Sequence, residues 1–321
     1  MKPVRRAVID VGTNSVKLLV ADVHGSDVVP IMEESRQTRL GKNFYDTHRL
    51  QPDAIAQTAE AVAEFANSAR EKQSASIRVF ATSAARDAIN PNDLVAAIAG
   101  ACHLKLEIIS GEQEAEWAFQ GATRGTDLAK TPLLLLDVGG GSSEFILGHG
   151  GHTSFARSFP LGTVRLMESC PHSEPPTPDD FFRARDWVRT CLEQQVRPAL
   201  EPVLQREKEA GTIQLAGTGG TATILARMEL KSDRFDREQI EGTHLSLEKI
   251  QSYVKNLWSL PLPRREEIPG LPKSRADVIL TGILIYASVM ETFGFSELRV
   301  STRGLRFAAI ADDVKALKRN S

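Results

Sequence analysis

Two stretches decide the reading of this sequence: "DVGTNSVK", Asp10 to Lys17, and "DVGGGSSE", Asp137 to Glu144. Slid along itself by 127 positions (137 minus 10), the chain sets Asp10 on Asp137, Val11 on Val138, Gly12 on Gly139, Ser15 on Ser142 and Lys17 on Glu144. An apolar run precedes each copy ("RAVI", "LLLL") and another follows it ("LLVADV", "FILG"). Each copy therefore reads as strand, tight turn, returning strand, and the duplication predicts two similar domains.

The first copy opens three antiparallel strands over 4–36. A helix follows at "PDAIAQTAEAVAEFANSAREK", where Ile55, Ala59, Val62, Ala63 and Ala66 fall at helical spacing. A strand at "IRVFAT" and a strand-to-helix junction at "LKLEIISGEQEAEWAFQGA", with Ser110 or Gly111 at the joint, complete a βββαβα unit by about residue 124. The second copy opens a second unit, with a third strand near "TSFARSFPLG" and short strands at "TIQLAG" and "ELRV". Helices are expected over 180–200, 221–230, 246–258, 275–292 and 304–318, and the Pro-rich "CPHSEPPTPDD" is a loop. The expected domains are 1–125 and 126–321, with the last helix free to pack back on the first.

With 321 residues, 41% hydrophobic and 25% charged, the chain has material for two globular cores. A net charge of −2 and a pI near 6.4 give no general attraction to nucleic acid or anionic membrane, so a polyanion must be held by a local site. Cys102, Cys170 and Cys191 match neither a disulfide framework nor a zinc site, which suits reduced thiols in a cytoplasmic protein. The N-terminus lacks the long apolar core of a signal peptide, because Asp10 and Gly12 interrupt it. The longest apolar run, between Asp277 and Glu291, is too short to span a bilayer.

Glycines that admit close approach, beside hydroxyl donors, make a phosphate cradle. Thr13, Asn14 and Ser15 offer this in the first copy, and Gly139, Gly140, Gly141, Ser142 and Ser143 in the second. A single glycine-rich turn is more simply a hairpin; two in matching context favour the phosphate reading. "AGTGGTATILA" adds Gly217, Gly219, Gly220 and Thr221 at a helix start that attracts anions or packs closely on a sheet. Asp137 and Glu144 flank the second turn and could share a hard cation, with Asp10 a further candidate, although Glu144 alone could be a surface charge. Arg86, after a strand end in "ATSAARDAIN", could grip phosphate or pair with Asp87 or Glu60. Glu112, Glu114 and Glu116 open a helix, where acids are routine. The seven histidines form no metal-like array, and neither a Ser/His/Asp set nor a Walker-type sequence occurs.

Together these segments resemble the exopolyphosphatase / guanosine pentaphosphate phosphohydrolase family, within the sugar kinase, Hsp70 and actin superfamily. The strings "AVIDVGTNSVKLLV", "ATSAARDAIN", "EIISGEQEAEWAFQGA", "LLLLDVGGGSSEFILG", "SFPLGTVRLME", "LAGTGGTAT", "PGLPKSRADVIL" and "VSTRGLRFA" occur in the family's order. The resemblance implies an α/β protein of two ribonuclease H-like (actin-like ATPase) domains with an interdomain cleft. It implies Glu114 as general base, Asp137 and Glu144 as metal- and water-positioning carboxylates, Arg86 facing phosphate, and Mg²⁺ or Mn²⁺ as cofactor. The implied partners are polyphosphate or guanosine penta- or tetraphosphate, with no nucleic acid or membrane, and a homodimer is left open. Lys17, Arg39, Lys42, Arg165, Arg275, Arg303 and Arg306 are candidates for a basic rim. Two departures are Gln113 where a second glutamate is common and Ser143 where threonine is frequent. The chain also stops near Ser321, short of the helical extension of longer members, which puts processivity on long polyphosphate in question. The rivals are an ATP-dependent small-molecule kinase of the same superfamily and a polyphosphate or nucleotide sensor with little turnover.

Overall fold

A computed structural model describes residues 2–25 and 27–319, which form two compact units. The first comprises 2–126 together with 304–319, and the second comprises 127–303.

In the first unit, β1 (Val4–Val11), β2 (Ser15–His24) and β3 (Asp27–Gln37) form an antiparallel meander. β4 (Ser76–Ala81) and β5 (Leu106–Ile108) add in parallel, giving the order β3-β2-β1-β4-β5. β1 and β2 are buried on both faces, and strand alternation divides them between two cores. Ile9, Val11, Val16, Leu18 and Val20 pack with Val62, Phe65 and Ala66 of the helix Pro52–Glu71. Val8, Leu19, Ala21 and Phe80 pack with Trp117 of the helix Gly111–Thr123 and with Phe307 and Ile310 of the helix Leu305–Arg319. The last helix thus belongs to the first unit, where Trp117 Nε1 donates to Asp312 at 2.9 Å. Gly121 of the earlier helix lies against Gly304, where a Cβ would land on the Gly304 carbonyl.

The second unit repeats the plan. β6 (Leu133–Val138), β7 (Ser143–His149) and β8 (His152–Phe159) form the meander, and β9 (Gln214–Thr218) joins β6 in parallel. β10 (His244–Ser246) and β11 (Glu297–Val300) complete the order β10-β11-β9-β6-β7-β8. Read from β8 to β11, this is the five-strand order of the first unit, with β10 as an added edge. Leu134, Leu136, Val138, Phe145 and Phe159 face a core built with Val188, Leu192, Ile283 and Tyr286.

The helices depart from the sequence expectation in definable ways. The one expected over 180–200 runs from Pro178 to Ala210, through a π-helical segment Leu192–Val196. The one expected from 275 starts at Ile279, because Lys273–Arg275 forms a 3-10 turn held by the Arg275 N–H on the Pro272 carbonyl. A helix at Pro91–Cys102 and the strand β10 were not expected. No helix among the described residues is long and apolar enough to cross a membrane.

Candidate active site

The two quoted stretches fold as the same hairpin. Val11 pairs with Val16 and Asp10 with Lys17; Val138 pairs with Ser143 and Asp137 with Glu144. Each turn is closed by its glycine, Gly12 N–H donating to the Ser15 carbonyl at 3.0 Å and Gly139 N–H to the Ser142 carbonyl at 2.9 Å. A Cβ at either position would lie 3.1 or 3.0 Å from that carbonyl oxygen, which explains the glycine in both copies.

The register carries the acids into a row across each sheet. In the second unit the row is Thr218 on β9, Asp137 on β6, Glu144 on β7 and Ser158 on β8. In the first it is Phe80, Asp10, Lys17 and Ser35. Residues directly opposite on neighbouring strands share a face. The first row therefore opposes an acid to a lysine, and the second opposes an acid to an acid.

Both acids of the second row are buried, Asp137 at 8% and Glu144 at 1% exposure. Glu144 Oε1 accepts from Ser142 Oγ at 2.8 Å and from Ser158 Oγ at 2.7 Å. Gly219, at φ +84°, starts the helix Gly219–Leu230 where any Cβ would strike Asp137 Oδ1. The Tyr286 hydroxyl reaches the carbonyls of Leu136 at 3.2 Å and Thr218 at 3.1 Å, and burial with Asp137 nearby pushes its ionisation well above the usual range.

Several residues expected to cradle phosphate have structural partners. The Ser143 hydroxyl donates to the Leu161 carbonyl, and the Gly139 N–H is engaged within its turn. Gly217 lies in the β9 ladder, where a Cβ would meet the Tyr286 ring at 2.9 Å. Thr221 fits beneath Gly282, so its place is a helix contact. The carbonyls of Gly139 and Gly140 accept from Thr163 and Val164 at the start of the helix Thr163–Ser169, at 3.0 and 2.8 Å, and Gly141 accepts from Arg165 Nε at 2.8 Å. The segment "SFPLGTVRLME" is thus the brace of the second turn. Gly220 lies beside the Arg275 guanidinium, whose Nη2 would be 3.5 Å from a Cβ there.

In the first unit, Ser110 caps the helix Gly111–Thr123, accepting from Gln113 N–H at 3.2 Å. Glu114, in the first turn, is buried and accepts from Arg86 Nη1 at 2.9 Å. Arg86 also reaches the Ile109 carbonyl at 3.3 Å and lies 3.8 Å from Asp87. The arginine expected to face phosphate is therefore ion-paired with the glutamate expected to act as base. In the first turn, Thr13 and Asn14 are buried, their carbonyls accepting from the backbone of 38–41. The atoms Asn14 Nδ2, Ser15 Oγ and Ser83 Oγ are buried without a hydrogen-bond partner among the described residues, a state uncommon for buried polar groups. Burial pushes the Asp10 carboxyl up, against the opposing pull of Lys17 and Arg306. Arg306, expected on a basic rim, instead donates to the Leu18 carbonyl at 2.8 Å and to Glu33 at 3.2 Å.

No cluster of three or more His, Cys, Asp or Glu suited to a metal occurs among the described residues, so a metal here would rest on few protein ligands. Ser83 and Ser158 escaped the sequence reading. Ser83 adjoins a segment singled out for Arg86, whereas nothing in the spacing marks Ser158.

Residues 19–317 match the Ppx/GppA phosphatase family. The chain is 33% identical over 315 residues to exopolyphosphatase 2 of Mycobacterium tuberculosis, a match covering 92% of this chain and 94% of the relative. A solved Ppx/GppA family member from Aquifex aeolicus is 28% identical, with a TM-score of 0.76 over 99% of both chains. A solved exopolyphosphatase-like protein is 26% identical, with a TM-score of 0.88 over 99% of this chain and 100% of the other. The architecture is the two-domain, actin-like ATPase fold of these proteins. A family match over nearly the whole sequence, joined to this fold, means that the chain belongs to the Ppx/GppA phosphatase family.

Proposed function

We propose that the chain hydrolyses the terminal phosphoanhydride of inorganic polyphosphate, of guanosine pentaphosphate (pppGpp), or of both, releasing orthophosphate with the help of Mg²⁺ or Mn²⁺. The observation that carries this reading is the opposition of Asp137 and Glu144 across β6 and β7, both buried. Like charges directly opposite on a sheet repel. Their retention makes sense where a cation joins them. Mg²⁺ favours this donor set, since it typically takes one or two carboxylates and completes its shell with water and substrate phosphate oxygens. When bound, such an ion would neutralise charge on the phosphoryl oxygens during transfer.

In this reading Glu114 orients the attacking water and accepts its proton, while Arg86 holds Glu114 in place and meets the terminal phosphate. Asn14 Nδ2 and Ser15 Oγ donate to phosphate oxygens, which would satisfy donors left unpaired among the described residues. Within the second unit, the main-chain turn at 139–141, braced by the helix Thr163–Ser169, offers a rigid backbone to an anion. The name of the Mycobacterium relative supports polyphosphate, and the conserved chemistry of a terminal anhydride admits pppGpp equally.

Phosphate release from polyphosphates of several lengths, pppGpp and ATP, each with and without Mg²⁺, tests this reading. Metal-dependent release from polyphosphate or pppGpp is expected. Tight binding with turnover at background would show a sensor, and transfer from ATP to a small acceptor would show a kinase.

A further inference from the structure

We propose that Ser158 is a positioning residue that, with Ser142, fixes the Glu144 carboxylate opposite Asp137 so that a divalent cation meets a preformed acid pair. This rests on the reading that Asp137 and Glu144 take such a cation. Ser158 stands directly opposite Glu144 on β8, as Asp137 does on β6, so the glutamate sits between the two in one row. Its hydroxyl donates to Glu144 Oε1 at 2.7 Å, and Ser142, two residues earlier in the turn that leads into β7, donates to the same oxygen at 2.8 Å. Hydrogen bonds to an ionised carboxylate are the strong kind. Two donors on one oxygen define the orientation of the whole group.

Glutamate has flexible χ angles, and Glu144 is opposed by a like charge that would drive it to another rotamer. The Ser158 hydroxyl counters that tendency from the side away from Asp137, and the Ser142 hydroxyl from the turn. The first unit supplies a contrast: Ser35 holds the same place in its row but is exposed and stands opposite Lys17, which carries no carboxylate to orient. Groups that orient a metal ligand commonly matter nearly as much as the ligand, with losses of about 10–100-fold in metal affinity when removed.

Titration of the whole protein with Mn²⁺ alone, read by loss of the free-ion electron paramagnetic resonance signal, separates this role from a structural one. Ser158→Ala should weaken Mn²⁺ binding by about 10–100-fold. Ser158→Thr, which keeps the hydroxyl on a β-branched frame suited to a strand, should restore binding to within a few-fold. Ser154→Ala is the control, since Ser154 lies on the same strand but its hydroxyl donates to the Leu147 carbonyl at 3.3 Å. Should Ser158→Ala fail to fold, Ser158→Cys, of similar size with a weak donor, takes its place with the same expected loss. Unchanged Mn²⁺ affinity in Ser158→Ala or Ser158→Cys, beside weakened affinity in Glu144→Gln, would overturn the positioning role alone. Equal Mn²⁺ binding by Glu144→Gln and the unsubstituted protein would overturn the metal reading beneath it.

Discussion

Replacing Glu114 by glutamine separates catalysis from folding, and the structure sets both magnitudes. A positioned general base contributes about 10²–10⁴-fold, or roughly 2.7–5.5 kcal/mol of barrier at 1.36 kcal/mol per decade. The same change also touches an ion pair, because Glu114 accepts from Arg86 at 2.9 Å. With the arginine side chain 22% and the glutamate side chain 11% exposed, the pair is partly buried, but Arg86 keeps the Ile109 carbonyl at 3.3 Å and Asp87 at 3.8 Å. The glutamine oxygen also still accepts. The stability loss should therefore sit near about 1 kcal/mol, below the cost of stranding a fully buried charge. Glu114→Gln should melt only a few degrees lower while phosphate release falls by at least about a hundredfold. Arg86→Gln strips a donor from a buried carboxylate and should cost more stability, and the double variant should recover part of it through a coupling of about 0.5–3 kcal/mol. Melting curves and single-turnover phosphate release on the three variants measure each term. A Glu114→Gln protein that keeps more than about a tenth of wild-type turnover would refute the base assignment and leave Glu114 as a structural partner of Arg86.

The other site and fold assignments are open to similar checks. Asp137→Asn and Glu144→Gln should each raise the Mg²⁺ concentration for half-maximal phosphate release, since each removes a hard anionic ligand; coincident metal titrations would count against the pair. Hydrogen bonds from Thr177 and Ser173 hold Asp180 well below the ordinary carboxyl value of 3.8. A depressed folded-state pKa stabilises above the unfolded value and is lost as pH falls through the folded one. Asp180→Asn should thus melt lower than wild type near neutrality, with the gap closing in acid below 3.8, and a gap independent of pH would contradict this. Arg306→Gln, which loses contacts to Leu18 and Glu33, should cost about 1–3 kcal/mol in denaturant titration while the ratio of turnover on long and short polyphosphate stays constant. A selective loss on long chains would return Arg306 to a substrate-binding role.

The duplicated hairpin was legible because both copies keep the same number of residues between paired strands, so one offset aligns every partner of the turn. Ser158 was not. Glu144 and Ser158 are 14 residues apart, whereas Lys17 and Ser35 are 18 apart, so the offset of 127 sets Ser158 on Ile31. Loop length fixes register, and nothing in a single sequence reports it. Arg86 and Glu114 meet only because β4 and β5 pair in parallel, with Ala81 beside Ile108, which brings two segments 28 residues apart to one sheet edge. The sequence named both residues but assigned the arginine another partner. The helix Pro91–Cys102 buries only Leu94, Ile98 and Cys102 as a narrow stripe, too thin a pattern to stand out from its alanines.

The two rows show how one scaffold supports different chemistry. Both hairpins share their register and glycine-closed turn, so the backbone places an acid and its cross-strand partner alike in each unit. Only the partner differs. Lys17 supplies the first acid with a positive charge from within the protein, and that row lies on the face covered by Trp117 and Phe307, where Phe80 continues it as an apolar contact. In the second unit Glu144 sets a carboxylate in the place of that lysine, and the surroundings differ as well. Thr218 replaces Phe80, Ser158 donates a hydroxyl, and Gly219 leaves room against Asp137 that any larger residue would fill. Of the four positions in the row, only Thr218 is more polar than its counterpart Phe80, while Asp137 and Ser158 stand where the first row has Asp10 and Ser35. The duplicated fold thus accounts for the matching position of the acids, and the two rows differ in that Asp137 faces a carboxylate where Asp10 faces a lysine.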